Sequence, residues 1–249
     1  MNDFRASVSI YVVSVKSFTE RHAHINALAR ENKFEVEFVF EHDPGSLNED
    51  GFFRVSDRLN SFSQSNVLKH FEAQRKFLAS GGDYALVLED DVVFLNNRFS
   101  ETVAKLLESA QALVPGWLIF LGGADDTPPM TEAGQPYWSV IPKALSTAEA
   151  YIVDRVGCER RLAWCTNNEL DRQADHQLKL VDNLVGNKQF WIARALVTQG
   201  SITGKFQTTL DNSRAKHGSV YLGARYLLRR FYKNVLISLW RQLKATFKS

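Results

Sequence analysis

Apolar positions along the chain alternate between two rhythms. SVSIYVVSV (7–15) is β-branched, aromatic and almost continuously apolar, the pattern of a central strand covered on both faces. SFTERHAHINALAREN (17–32) follows with Ser17 and Thr19 as helix caps and Ile25, Leu28 and Ala29 at helical spacing. EVEFVFEHD (35–43) then alternates as a second strand. This β-α-β opening predicts an α/β fold with a mostly parallel sheet.

Residues 44–60, with the turn-forming DPGSLNEDG, read as a loop at the rim of a site. Residues 63–82 read as a helix with Val67, Phe71 and Phe77 inward, ended by Gly81 and Gly82. YALVLEDDVVF (84–94) is the third strand, 98–113 an amphipathic helix, and GWLIFLGG (116–123) a short buried strand. A long insertion to about Pro142 holds YWSVIP as a strand candidate, and LSTAEAYIVDRVGCERRLAWC (145–165) joins a strand to a helix. ADHQLKL (174–180), KQFWIARALV (188–197) and the TQGSITGKF loop (198–206) complete the body. No repeat or composition break marks a linker before about residue 212, so 1–211 is expected to be the catalytic domain and 212–249 a tail.

The third strand poses a chemical problem, because Glu89, Asp90 and Asp91 follow one another at its end. Adjacent carboxylates repel and are poorly tolerated in a core unless paired or bound to a cation. The carboxyl end of a strand in an open α/β sheet is also where ligands bind. Strand alternation puts Glu89 and Asp91 on one face and Asp90 on the other. Glu89 and Asp91 are therefore candidate ligands of a divalent Mg²⁺ or Mn²⁺ ion that in turn binds a diphosphate, although Asp90 or Asp91 as a turn cap fits the same residues. No G-x-G-x-x-G follows the first strand, and no P-loop, G-x-S-x-G or C-x-x-C motif occurs. Metal-assisted chemistry on a phosphorylated or nucleotide-linked substrate remains, or a binding role without chemistry.

Charge is unevenly spread. The net formal charge is +2, yet no acidic residue follows Asp211, while nine cations from Arg214 to Lys248 do. The first 211 residues carry 21 basic against 28 acidic side chains, a net of −7. Cys158 and Cys165, seven apart in a helical stretch, are too distant for an unstrained disulfide and suit a reducing compartment. The start MNDFRASVSIYVVSV lacks the pattern of a secretory signal, and no stretch is apolar enough to span a membrane, so a cytoplasmic location is expected.

Six stretches in order resemble glycosyltransferase family 25, the bacterial lipopolysaccharide and lipooligosaccharide sugar transferases. They are IYVVSV…TERH (10–22), VLKHFEAQRKFL (67–78), YALVLEDDVVF (84–94), STAEAYIVDRVGCERRL (146–162), ADHQLKL (174–180) and ALVTQGSITGKFQTTL (195–210). The similarity covers roughly residues 8–211. Departures are Lys69 where the family usually has serine, QGS without the histidine of many members, and ADHQ without proline. The resemblance implies a GT-A-like fold and a divalent metal. It also implies an inverting transfer of a hexose, such as galactose or glucose, from a nucleotide-diphospho-sugar to a lipid-linked glycan. A catalytically inactive nucleotide-sugar- or glycan-binding module of the same fold, and a metal-dependent phosphohydrolase, are the competing readings.

Under that resemblance each candidate has a role. Glu89 and Asp91, with the metal, neutralise the departing diphosphate, and Asp90 touches ribose or sugar. Arg21, at the start of the first helix, pairs with phosphate. Asp175 is the candidate base, or alternatively the N-cap of a helix HQLKL. His70 hydrogen-bonds the donor or an acidic side chain, and Gln199 and Ser201 contact diphosphate or metal-bound water. Thr147 and Tyr151 line the donor or acceptor pocket, with strand packing as the alternative.

The tail YLGARYLLRRFYKNVLISLWRQLKATFKS (221–249) reads as an amphipathic helix with Leu228, Phe231, Val235, Leu239 and Leu243 at helical spacing. Its cations fall within an arc of roughly 160°. An anionic membrane surface, met from the inner face of the cytoplasmic membrane, is the expected partner of this tail, and packing on the body is the alternative. No nucleic-acid-binding fold accompanies the charge.

Overall fold

A computed structural model describes residues 8–47, 51–123, 140–142, 147–192, 194–206 and 219–232. The strands, in chain order, are β1 Val8–Val13, β2 Glu37–Val39, β3 Arg54–Val55, β4 Tyr84–Glu89, β5 Val92–Phe94, β6 Trp117–Phe120, β7 Val140–Pro142, β8 Ala150–Asp154, β9 Glu169–Leu170, β10 Lys188–Ile192 and β11 Val197–Gln199. The helices are α1 Thr19–Asn32, α2 Ser61–Ser80, α3 Phe99–Ala110, α4 Arg155–Cys165, α5 Ala174–Val185, α6 Gly200–Thr203 and α7 Ser219–Phe231.

Seven strands form one sheet in the order β2-β1-β4-β8-β6-β10-β7. β1 pairs in parallel with β2 and β4, and β6 with β10, whereas β8 runs antiparallel between β4 and β6, and β7 antiparallel beside β10. The sheet is thus mixed, with five strands in one direction. The reversal of β8 has a chemical consequence. Its first residues lie at the same edge as the carboxyl ends of β1 and β4, so Glu149 and Glu89 become neighbours, and the Glu89 amide donates to the Glu149 carbonyl at 2.9 Å.

Helix α2 starts from Asn60, whose side chain accepts from the Ser63 amide at 2.9 Å, and ends at Gly81 with φ 78°. It buries residues around its whole circumference because it lies between the sheet and α4 and α5. Val67, Phe71 and Phe77 are buried as expected, but so are the polar Lys69, His70, Glu72 and Gln74. Asp154 joins the layers: its carboxylate accepts from the Gly116, Trp117 and Gly157 amides at 2.7, 2.9 and 3.0 Å, capping α4 and fixing the start of β6. Cys158 and Cys165 are both buried free thiols of α4, consistent with the spacing argument.

Three expectations change in detail. YALVLEDDVVF is two strands rather than one, broken at Asp90–Asp91. β5 leaves the main sheet and pairs antiparallel with β11, since two further carboxylates inside a covered ladder have no route to donors. The 44–60 loop contains β3, which pairs in parallel with β9. In the tail, α7 packs on α6, and Tyr221 to Tyr232 are the part of 221–249 within the described residues. Of YWSVIP, Val140–Pro142 form β7 and the rest lies outside the described residues. Among the described residues no helix is long and apolar enough to cross a membrane.

Candidate functional site

The carboxylates at the end of β4 point to three different supports. Asp90 turns toward β1 and α1, where Arg21 Nη1 donates to Oδ1 at 2.7 Å and Ser14 Oγ donates to Oδ2 at 2.5 Å. Arg21 is therefore engaged by Asp90, and its guanidinium also lies over the rings of Phe18 and Phe206, 4.8 and 5.6 Å from their centroids. Glu89 faces α2: Asn66 Nδ2 and Gln199 Nε2 each donate to it at 3.4 Å. His70 Nε2 lies 3.7 Å from Glu89 Oε1, beyond hydrogen-bond reach, and this buried nitrogen has no hydrogen-bond partner.

Asp91 sits at the start of α6. The Ser201 amide donates to its Oδ2 at 3.1 Å and the Gly200 amide to its backbone carbonyl at 2.7 Å. A β-carbon on Gly200 would lie 2.7 Å from that carbonyl, so glycine is what allows the approach. Asp91 Oδ1 is buried and without a hydrogen-bond partner. Ser201 thus enters through its backbone, and the loop QGS supplies donors to both Glu89 and Asp91.

Glu149, absent from the sequence-derived candidates, is the fourth carboxyl of the cluster. Its Oε1 accepts from the Gly123 amide at 2.6 Å, and it is buried against Gly122, where an added β-carbon would collide with the carboxylate. A single glutamate inside STAEAYIVD carries no motif, and only the antiparallel direction of β8 brings it beside Glu89.

The electrostatics follow from crowding. Burial pushes Glu149 up to about 7, with the charges of Glu89 and Asp91 adding to it against the pull of the Gly123 amide. Burial and the Glu89 charge push Asp91 up to about 6. Burial also raises Asp90 despite Arg21 and Ser14. Glu89 goes the other way: burial opposes its charge, but His70, Asn66 and Arg21 together hold its carboxyl below the ordinary range. The cluster thus contains one favoured carboxylate and others that resist ionising beside it.

A buried polar chain leads away from Glu89. His70 Nδ1 shares a hydrogen bond with the Tyr151 hydroxyl at 3.1 Å, which also receives Gln74 Nε2 at 3.5 Å. Gln74 Oε1 accepts from Arg161 Nη1 at 3.2 Å, and Arg161 grips Asp182 with Nε and Nη2 at 2.6 and 3.0 Å. Asn187 and Gln189 donate to the same carboxylate at 3.0 and 2.7 Å. Tyr151 is fully buried in this chain, so it supports the site from behind instead of lining an open pocket.

Thr147 is half-buried two residues before Glu149. Asp175 lies in the first turn of α5, half-buried, and its Oδ1 accepts from the adjacent His176 amide at 2.8 Å. Because only two residues separate α5 from β10, which runs parallel to β6, the first turn of α5 opens at the same sheet edge as Glu89.

Among the described residues no group of three or more His, Cys, Asp or Glu side chains is already arranged as a metal cage. A Mg²⁺-type ion needs less, since one or two carboxylates suffice when substrate phosphates and water complete its shell. The donor set fits that requirement: Asp91 Oδ1 is orphaned, the Glu89 carboxyl is held below its ordinary range, and crowded negative charge is what a cation relieves.

No family model matches the chain, and no curated protein matches it. Among solved structures it is similar to the crystal structure of mannose-1-phosphate geranyltransferase from Thermus thermophilus, at 11% identity and a TM-score of 0.37, over 75% of this chain and 73% of that one.

Proposed function

We propose that the protein is an inverting, metal-assisted glycosyltransferase with a GT-A-like fold, moving a hexose from a nucleotide-diphospho-sugar to a lipopolysaccharide- or lipooligosaccharide-type glycan. The observation that carries this reading is the orphaned, buried Asp91 Oδ1 beside Glu89 at the carboxyl end of a central strand. The resemblance to family 25 supplies the substrate class, and the large mixed sheet, with five of its seven strands in one direction, supports the fold.

Glu89 and Asp91 would hold the divalent cation, which when bound supplies a Lewis acid for the diphosphate leaving group. Gln199 and the Ser201 amide orient these two carboxylates, and the Gly200 amide holds the Asp91 backbone. Arg21 and Asp90 form a pair that opens toward donor phosphate or ribose only if Arg21 exchanges partners, so their role in this reading is to shape the donor side. Asp175, at the same sheet edge, takes the proton of the acceptor hydroxyl as the base, with Thr147 lining the donor or acceptor pocket. His70 and Tyr151 act through Glu89.

The test is a donor screen: protein, Mn²⁺ or Mg²⁺, UDP-linked hexoses and a truncated lipooligosaccharide acceptor, with mass detection of the product. A hexose-sized mass gain that requires the cation supports the reading. Release of phosphate from simple esters without transfer points to a phosphohydrolase, and donor binding without turnover to a binding module.

A further inference from the structure

Helix α7 is attached to the body by its less apolar side. Leu222 is buried, Tyr226 is half-buried, and Gly223 sits where a β-carbon would be 3.2 Å from the Thr203 carbonyl of α6. At about 100° per residue, Leu227, Phe231, Ala224, Leu228, Tyr221 and Tyr232 occupy an arc of about 140° centred away from Leu222. Their exposure agrees with that direction: Leu227 is 64% accessible, Leu228 71% and Phe231 58%. Other large exposed apolar side chains among the described residues, such as Phe52, Val114 and Leu184, are scattered over different elements. Helices of globular proteins ordinarily turn such an arc inward.

Charge selects what covers it. The exposed Arg225 borders the apolar arc, and the exposed Arg229 lies about 60° beyond it, toward Leu222. The sequence holds no acid after Asp211, whereas the first 211 residues carry a net of −7. An anionic surface would repel the body and attract only this segment. Apolar side chains pointing outward, with Tyr221, Tyr232 and Arg225 at the border, suit the boundary between headgroups and acyl chains.

We propose that the outward face of α7, residues 221–232, docks on an anionic phospholipid surface. The consequence for geometry is short-range. α7 rests on α6, and the Gly200 and Ser201 amides of α6 hold Asp91, so a docked α7 sets the acidic cluster one helix away from the bilayer. This docking stands independently of the transferase reading.

The experiment is co-sedimentation of the full-length protein with phosphatidylcholine vesicles, with and without phosphatidylglycerol, at two salt concentrations. Binding is expected only with phosphatidylglycerol and weaker in high salt. Arg225→Ser is expected to weaken it about fivefold, the effect of one cation near an anionic surface. Leu228→Ser with Phe231→Ser is expected to weaken it by at least about tenfold, since both lose apolar burial. Circular dichroism melting controls for folding, and donor binding in solution should be unchanged in these variants, which separates this test from the transferase question. Equal binding to neutral vesicles, no binding, or an oligomer that dissociates on Leu228→Ser would each overturn the proposal. So would slow thiol labelling of Leu228→Cys in the absence of lipid, which would show the face covered by residues 233–249.

Discussion

Replacing Glu149 with glutamine should stabilise the cation-free protein, and the size of the effect should depend on pH in a defined direction. Glutamine keeps the shape and still accepts from the Gly123 amide, but removes a charge buried beside Glu89 and Asp91. An acid raised from 4.5 to about 7 in the folded state disfavours folding by roughly 3 kcal/mol once ionised. The sign follows from linkage. Below the unfolded value the carboxyl is protonated in both states and imposes no penalty. The penalty grows as pH rises through the window from 4.5 to about 7 and is complete above it. Glu149→Gln should therefore match wild type near pH 4. At pH 8 it should exceed wild type by ~2–3 kcal/mol, equivalent to a rise in Tm of about 5–10 °C for a chain of this size. Urea denaturation at both pH values, in the presence of a chelator, measures this. A constant difference across pH, or a variant less stable at pH 8, would refute the crowding argument. Added Mn²⁺ should narrow the gap, because the cation relieves the same repulsion in wild type.

Arg161→Met leaves the buried Asp182 without its counter-ion, held only by the Asn187 and Gln189 amides, and should lower stability by ~3–5 kcal/mol, whereas Arg161→Met with Asp182→Leu should recover most of that loss in the same denaturation assay. Tyr151→Phe removes the hydroxyl that orients His70 behind Glu89, and Mn²⁺ affinity by calorimetry should fall about tenfold while the far-ultraviolet spectrum is retained. Cation affinity itself should decline as pH falls below about 7 and more steeply below about 6, because Glu149 and then Asp91 take up protons that compete with the ion.

The backbone plan is readable in the chain because burial on both faces leaves a strong local mark. SVSIYVVSV and GWLIFLGG are continuous apolar runs, and they are β1 and β6 with few residues exposed. Amphipathic stretches behave likewise, as in α3, where Phe99, Val103, Leu106 and Ala110 are buried. The direction of β8 is not readable, since a buried strand has the same composition whichever way it runs, and only pairing with β4 and β6 decides. The break at Asp90–Asp91 is implicit in the carboxylates themselves, whose charge is incompatible with a covered ladder.

At the site, position along the chain singles out Glu89, Asp91, His70 and Gln199, and the structure brings them together. Arg21 is also singled out, but its partner in the structure is Asp90, an interaction spanning 69 positions in sequence. Glu149 and the Gln74–Arg161–Asp182 chain escape sequence reasoning for one cause. Isolated polar residues in buried helices and strands have no periodicity of their own, and their partners are set by tertiary packing. Lys69 illustrates this: it is buried with its ammonium donating to the Val39 and Glu41 carbonyls and to Asp43.

Asp91, together with Glu89, is proposed to seat a divalent cation that binds a nucleotide-diphospho-sugar. Calorimetric titration of a UDP-hexose into the protein, with and without Mn²⁺, for wild type and Asp91→Asn, addresses it directly. Wild type is predicted to bind the donor only when Mn²⁺ is present, and Asp91→Asn to lose that dependence together with turnover. Donor binding by wild type that ignores the cation, or full cation-dependent binding and turnover by Asp91→Asn, would contradict the account.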